Sequence, residues 1–429
     1  MDLREALLDL NGRQPESMPG PSLERIAKIV NLLDHPELTY PSIHVTGTNG
    51  KTTTARLITS LACAHGVSTA TFTSPHLTSV TERLAVCGEP ITDGAFAEAY
   101  AYLAPYLELV DFGSDRVTYF EALTALAYVW FADIPVDLGV FEVGMGGTWD
   151  ATNLIRGDVA VLCPIGLDHV VELGSTVAEV ATEKAGIIKG SKTAIVREQP
   201  PEALEVIRAR ADAVGATLLE EDRDFGVSRR ATAIGGQALS IRTSEHEYED
   251  LFLPLYGENA ARNAAASVAA LEAFLGRDLN EGATRRALAA AASPGRVEVL
   301  GRRPLIVMDG AHNPEAAHAL VGALRESFAW DRCLIVMACF ADKDIEALGS
   351  IMAPIADAAY ATRTSSPRAA PADRVAVALR AGGVDDIRTF DTVAAALGAA
   401  RADATEDDLV LVTGSFYTVA DARPLLASP

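Results

Sequence analysis

The residues best suited to chemistry in this sequence form a glycine-rich turn that runs into a lysine: Gly47, Thr48, Asn49, Gly50, Lys51, Thr52 and Thr53. Glycines allow a tight turn whose backbone N–H groups converge on phosphate oxygens, and a following helix adds its positive end. Lys51 would neutralise phosphate charge, and the hydroxyl of Thr52 or Thr53 would reach a Mg²⁺ ion. The spacing, G-x-x-G-K-T, is two residues shorter than the usual phosphate loop. A plain Gly/Thr-rich turn is the alternative. The apolar run at 43–45 before it and the helical spacing of Leu57, Ile58, Leu61 and Ala62 after it favour a strand, phosphate loop and helix.

Other candidates stand just after apolar runs. Ser74 follows a candidate strand at 68–73, Glu142 ends the run LGVFEV, and His169 follows VAVLCPI. Open α/β sheets place ligands at such strand ends. Oxygen donors and an imidazole suit Mg²⁺. Ser74 could instead start a turn, and His169 could be structural, but a carboxylate on a buried strand such as Glu142 needs a cation. Lys184 falls on the apolar stripe of Val177, Val180, Ala181 and Ile188. It either snorkels to water or is buried, and burial lowers an amine's pKa and leaves it neutral. Further on, Arg296 in SPGR lies at a predicted hinge, where a guanidinium can reach a phosphate when domains close. Asp309 could accept hydrogen bonds from ribose hydroxyls or orient a metal-bound water. His312 could contact a transferred phosphate or an incoming amine, and Asn313 could cap a helix starting at Pro314.

Positioning these groups requires parallel sheets. Strand candidates 136–143, 158–165 and 193–196 alternate with helical segments 118–132, 176–188 and 202–214, which predicts a mostly parallel sheet covered on both faces. Residues 217–255 read as a small antiparallel patch, followed by Ala-rich helices near 259–275 and 282–292. The Pro/Gly/Arg-rich segment 293–304 marks the domain boundary, so residues 1–295 form an ATPase-type domain. Residues 296–429 form a smaller Rossmann-like domain, with strands at 304–309, 333–340, 357–362 and 408–414.

At 429 residues, two or three domains are expected. The net charge of −22 argues against a nucleic-acid partner. No run of 18 apolar residues is present, which predicts no membrane span. The five cysteines show no C-x-x-C pair and read as reduced core thiols of a cytoplasmic protein.

Eight segments, in order, carry a family resemblance: YPSIHVTGTNGK, TSPHL, TYFEALTALA, FEVGMGGTWDATN, GLDHVVELGSTVAEVATEKAGIIK, SPGRVEVL, MDGAHNPEAA and TGSFYTVADA. Together they make the chain resemble the folylpolyglutamate synthase/dihydrofolate synthase family of the Mur ligase superfamily, over nearly its whole length. The resemblance implies ATP-dependent ligation of L-glutamate to dihydropteroate or tetrahydrofolate through an acyl phosphate. It implies two Mg²⁺ ions, with Ser74, Glu142 and His169 as ligands beside the Thr52 hydroxyl already read from the loop, a CO2-derived carbamate on Lys184 that would help hold the second ion, and K⁺ as a further candidate cation. It also puts Asn263, Arg296, Asp309 and His312 at the ATP site, with Lys51, Lys184, His312 and Arg296 catalytic and His312 and Ser415 near glutamate. The acceptor pocket it implies comprises Leu23, Glu24, Arg25, Thr118, Tyr119, Phe120, Glu121, Trp149, Asp150 and Ala151. Phe120 or Trp149 could stack on a flat ring, and Asp150 could bond amino groups. The chain departs from the family at Thr148, where Arg or Lys is usual, at Trp149, where the residue is smaller, and at Thr52, where Gly is usual. A small-molecule enzyme, monomeric by family default, is expected. The rivals are a UDP-muramoyl amino-acid ligase, which would carry a UDP-binding domain where only 46 residues precede Gly47, and a non-ligase nucleotide-binding protein.

Overall fold

The computed structural model describes residues 1–14, 22–111, 116–190, 192–244 and 246–426. The chain divides into two compact units. The first comprises Met1–Ala231, Ala238–Leu253 and Ala261–Ala291; the second comprises Thr232–Gln237, Pro254–Ala260 and Ala292–Pro429.

The first unit is built on an eight-stranded sheet: β1 (Ser42–Thr46), β2 (Thr69–Phe72), β3 (Leu84–Val86), β4 (Glu89–Pro90), β5 (Leu138–Glu142), β6 (Val159–Leu162), β7 (Thr193–Val196) and β8 (Thr217–Glu220). The order is β4-β3-β2-β5-β1-β6-β7-β8. From β2 to β8 every pairing is parallel, and β3 and β4 add an antiparallel edge. All residues of β1, β5 and β6 are buried, so neither face of these strands is turned to solvent, and the polar residues they carry, His44 and Glu142 among them, are buried too. Strand β1 lies between β5 and β6, with Val45 opposite Glu142 and Thr46 opposite Leu162. That register brings the ends of three adjacent strands together.

Helix Tyr119–Asp133 supplies much of the core on one face, packing Leu123, Tyr128 and Phe131 against Phe72 and Phe141. Its Thr118 cap explains where it starts: Thr118 Oγ1 accepts from Glu121 N at 3.2 Å, and Glu121 Oε2 accepts from Thr118 N at 2.8 Å. A separate three-stranded sheet holds β9 (Gly226–Ala233), β10 (Gly236–Arg242) and β11 (Glu247–Leu253).

The second unit carries β12 (Glu298–Arg302), β13 (Leu305–Met308), β14 (Cys333–Met337), β15 (Ala358–Ala361), β16 (Ile387–Thr389) and β17 (Leu409–Thr413), in the order β12-β13-β17-β14-β15-β16. Only β12 is antiparallel to its neighbour. Asn313 caps helix Pro314–Ser327 as expected, its Oδ1 accepting from Ala316 N at 2.9 Å.

Three expectations need correction. Residues 217–220 do not belong to the antiparallel patch. They form β8, a parallel edge of the main sheet, and as an edge strand they lack the apolar run that marks the centre. The segment 293–304 is not only a linker, because its second half is strand β12. The cysteines are not all reduced: Cys63 and Cys87 form a disulfide, while Cys163, Cys333 and Cys339 are free and buried. The pair is 24 residues apart in sequence, and only the fold brings the end of helix Lys51–Ala64 to the turn after β3, with a Cα–Cα distance of 5.7 Å.

Candidate functional site

Strand β1 ends at Thr46 and the chain turns sharply. Gly47 has φ +148°, and a Cβ there would lie 2.6 Å from the Cβ of Cys163 at the end of β6, so only glycine fits. Gly50 has φ +92° and opens helix Lys51–Ala64. The turn is stitched to the β6 loop: Thr48 N donates to Pro164 O at 2.8 Å, and Thr48 Oγ1 bonds both Gly166 O and Gly166 N at 3.0 Å. The loop backbone is therefore fixed with its N–H groups at a helix start, which suits a bound phosphate.

Two lysines meet this loop. Lys51 Nζ donates to Gly47 O at 3.0 Å and Thr48 O at 3.3 Å. Lys184, buried on helix Val177–Ala185, donates to the same Gly47 O at 3.0 Å. Burial first, and then the positive charge of Lys51, pull the Lys184 amine down to about 7. The shift favours the neutral amine, the form that attacks CO2.

Opposite the lysines is Glu142, at the end of β5 and 1% exposed. Its Oε1 accepts from Thr52 Oγ1 at 2.7 Å and its Oε2 from Ser74 N at 3.0 Å. Burial raises its pKa, and Lys51, Thr52 and Ser74 counter only part of that rise. A divalent cation would complete the compensation, and Mg²⁺ needs only a few protein oxygens beside water and phosphate. The TSPHL loop after β2 is held firmly, since Glu82 accepts from the N–H groups of Leu77, Thr78 and Ser79 at 2.9–3.0 Å.

His169 lies on the exposed turn three residues past Gly166, at φ +51°. Among the described residues, no three His, Cys, Asp or Glu side chains gather as a ready-made metal cage. The structure thus brings Thr52, Ser74 and Glu142 together and sets Lys51 and Lys184 on the loop itself. His169 stands at the loop's edge. Thr53 is buried in the first helical turn, and Asn49 is half-buried on the turn. Asn263 lies against the loop as well: a Cβ on Gly50 would meet its Oδ1 at 3.0 Å and its Nδ2 at 3.1 Å.

The acceptor candidates divide into anchored and open groups. Arg25 and Glu121 form a buried ion pair, Nε to Oε2 at 2.9 Å. Asp150 accepts at both oxygens, Oδ2 from Met145 N at 2.9 Å and Oδ1 from Thr152 N at 2.9 Å and from the Thr152 hydroxyl. Thr152 in turn bonds His44 Nε2 at 2.8 Å, deep in β1. Ala151 is buried, its carbonyl accepting from Tyr128 at 2.7 Å. Phe120 is packed into the core, its ring filling the space a Cβ on Gly144 would need. Leu23 is half-buried and Glu24 exposed. Tyr119 lies under the Arg83 guanidinium at 5.4 Å, and Arg83 Nε donates to His76 Nδ1 at 3.0 Å, which with burial keeps that imidazole down at about 4. Trp149 is half exposed and offers an open ring face beside Thr148, whose N and Oγ1 both donate to Glu183 O.

In the second unit, the Arg296 guanidinium stacks 4.3 Å from the Phe416 ring. Asp309 is buried and accepts from Val297 N at 2.9 Å and Ala311 N at 2.8 Å; burial lifts its pKa while Arg296 pulls it down. His312 Nδ1 bonds Gly310 O at 2.8 Å. Ser415 caps helix Phe416–Ala422 and bonds Thr418 Oγ1 at 2.7 Å.

One charged residue escaped the sequence reading. Arg197 directly follows β7, at the same edge of the sheet as Glu142 at the end of β5, and that strand-end position was the signal available.

Comparison with known proteins gives consistent matches. Residues 45–271 match the Mur ligase middle domain, and residues 295–416 match the Mur ligase glutamate ligase domain. The chain is 39% identical to the dihydrofolate synthase/folylpolyglutamate synthase of Mycobacterium tuberculosis, across 97% of this chain and 92% of that one. It is 36% identical to the Escherichia coli protein of the same name, across 89% and 86%. The fold matches M. tuberculosis folylpolyglutamate synthase complexed with ADP and AMPPCP, with a TM-score of 0.94, 38% identity and 100% of both chains covered. It also matches E. coli FolC in complex with DHPP and ADP, with a TM-score of 0.89 and 33% identity over 99% and 97%.

Proposed function

The chain belongs to the folylpolyglutamate synthase/dihydrofolate synthase family of the Mur ligase superfamily, and from that premise we propose how its residues divide the reaction. It is an ATP-dependent, ADP-forming ligase of folate metabolism that adds L-glutamate. Both dihydropteroate and tetrahydrofolate serve as acceptors. The acceptor carboxylate oxygen attacks the γ-phosphorus of ATP, and ADP leaves. The glutamate amine then opens the resulting acyl phosphate; inorganic phosphate leaves and the amine proton passes to a base.

The loop Gly47–Thr53 orients the triphosphate with its backbone N–H groups, and Lys51 exchanges its loop carbonyls for phosphate oxygens. Asn263 contacts the nucleotide from beside Gly50. Glu142, Thr52, Ser74 and His169 would hold one Mg²⁺, and a carbamate on Lys184 would help hold a second. When bound, these ions neutralise charge on the transferring phosphoryl group. Arg296 meets phosphate charge, Asp309 the ribose, and His312 the incoming amine, with Ser415 nearby. Trp149 stacks on the acceptor ring, with Asp150 and the Arg25–Glu121 pair shaping the pocket. The protein acts as a monomer in the cytoplasm.

The observation that carries this reading is the bonding of Thr52 and Ser74 to one buried carboxylate beside a lysine-bearing phosphate loop. The test measures phosphate released from ATP plus glutamate with dihydropteroate, tetrahydrofolate or a UDP-muramoyl acceptor. Release with both folate-type acceptors and none with the UDP-muramoyl acceptor is expected. Activity confined to one folate acceptor would end the bifunctional assignment.

A further inference from the structure

Arg197 is buried with its side chain 1% exposed, an expensive place for a guanidinium. Its backbone N–H donates to Leu162 O at 3.0 Å, so it is anchored where β6 and β7 end together. Its Nε donates to Glu221 Oε2 at 2.8 Å, and one terminal nitrogen donates to Asn263 Oδ1. Glu221, equally buried, also accepts from Arg262 Nε at 2.8 Å and Glu198 N at 2.7 Å. Glu221 therefore fixes Arg197, and Arg197 fixes Asn263.

A guanidinium has only donors, so the amide atom facing it must be the oxygen. That settles the amide's orientation without reference to hydrogen positions. The nitrogen of Asn263 is left to turn away from Arg197, on an amide that lies 3.0–3.1 Å from where a Gly50 Cβ would stand. A fixed –NH2 at the phosphate loop recognises an acceptor, and a nucleotide offers three kinds: phosphate oxygens, ribose oxygens and purine ring nitrogens.

We propose that Arg197 is a positioning residue of the nucleotide site, holding the Asn263 amide so that its nitrogen donates to an acceptor on ATP. This rests on the reading that Asn263 contacts the nucleotide. Without Arg197, the amide turns between two orientations, one of which presents an oxygen to an acceptor.

The test compares Arg197→Met, Arg197→Lys, Asn263→Ala and the double variant Arg197→Met/Asn263→Ala. Glu221 keeps Arg262 and the Glu198 N–H in every variant, so its carboxylate stays paired. Loss of one such hydrogen bond predicts a roughly tenfold rise in the KM for ATP and in the Kd for ADP in Arg197→Met. The KM values for glutamate and folate acceptor should stay within about twofold, and Arg197→Lys should recover part of the loss. The double variant should be no worse than Asn263→Ala alone, because both changes remove one interaction. Adenosine, adenine and inorganic tripolyphosphate as competitors identify the acceptor: the Arg197→Met penalty follows adenine and adenosine if a ring nitrogen is read, adenosine alone if a ribose oxygen is, and tripolyphosphate if a phosphate oxygen is. A penalty with none of the three overturns the proposal, as does an Arg197→Met enzyme that loses ATP, glutamate and acceptor affinity alike. If Asn263→Ala leaves ATP affinity intact, the placement of Asn263 falls and the inference falls with it. If Asn263→Ala weakens ATP and Arg197→Met does not, only the role of Arg197 fails.

Discussion

Gly47 O receives both Lys51 and Lys184, and two ammonium groups at one carbonyl repel each other. Burial is the larger cost to the charged form of Lys184 and the charge of Lys51 adds to it, which together pull the Lys184 amine down to about 7. Replacing Lys184 with alanine should lower turnover by roughly a hundredfold or more, the scale of losing a preorganised charge. Lys184→Arg, which stays charged and cannot add CO2, should be no better. Initial rates with and without bicarbonate are the check: bicarbonate should stimulate bicarbonate-depleted wild-type enzyme and neither variant. Lys184 was legible because a lysine on an apolar stripe is anomalous. Asp150 and Glu121 were legible as charges but not as anchors. Asp150 caps its own turn, accepting from Thr152 two residues on and from Met145 five residues back, a local bond that Asp commonly makes. The partner of Glu121, Arg25, lies 96 residues away and is set by the tertiary fold alone.

At the scale of elements, buried parallel strands announce themselves as mostly apolar runs, which is why β5, β6, β14 and β17 could be read directly, while β1 carries Ser42, His44 and Thr46 and could be read from the glycine turn that follows it. Short edge strands do not. The β3–β4 hairpin and β16 are two or three residues long and partly exposed, so neither periodicity nor hydrophobicity marks them. The same hairpin hides the Cys63–Cys87 disulfide, because its turn must form before the two thiols are neighbours. That bond ties the helix behind the phosphate loop to the sheet edge across a sequence separation of 24 residues. Closing a loop of that size stabilises the native state by about 3 kcal/mol. Reductant should therefore lower the denaturation midpoint of the wild-type protein and leave a Cys63→Ser/Cys87→Ser variant unmoved, as unfolding curves with and without dithiothreitol would show.

For the whole molecule, the acidic charge balance, the two mostly parallel sheets and the ligase family could be read from composition and motif order. Among the described residues, no helix is long and apolar enough to cross a membrane. What could not be read is how polar groups are spent inside the first unit. His44 is an example, wholly buried in β1, where desolvation and the nearby Lys189 hold its pKa well below the usual value. The Thr152 hydroxyl donates to Asp150, so it must accept from His44, which fixes the neutral Nε2–H form. In the unfolded chain, His44 titrates near about 6.5. Above that pH both states carry it neutral and the native state loses nothing. Below it the unfolded state takes up a proton that the folded state refuses, so stability falls as the pH drops, by at most about 1.4 kcal/mol per unit. Urea midpoints at pH 7.5 and 5.5 should differ less in His44→Gln than in wild type, and an unchanged difference would refute this account.

The register of β5, β1 and β6 has a wider consequence. It places Glu142, the Gly47 turn and the loop from Pro164 to Gly166, the groups proposed here to handle phosphate, at three neighbouring strand ends that support one another, while Trp149 and Thr148 lie on a loop tied to Glu183 O. The part of the enzyme that spends ATP is therefore rigid and intolerant of change. On the proposed assignment, the half-exposed Trp149 can be exchanged without disturbing the buried Asp150 and Arg25–Glu121 anchors, so that one position can explore new acceptors while the rest of the site stays as it is.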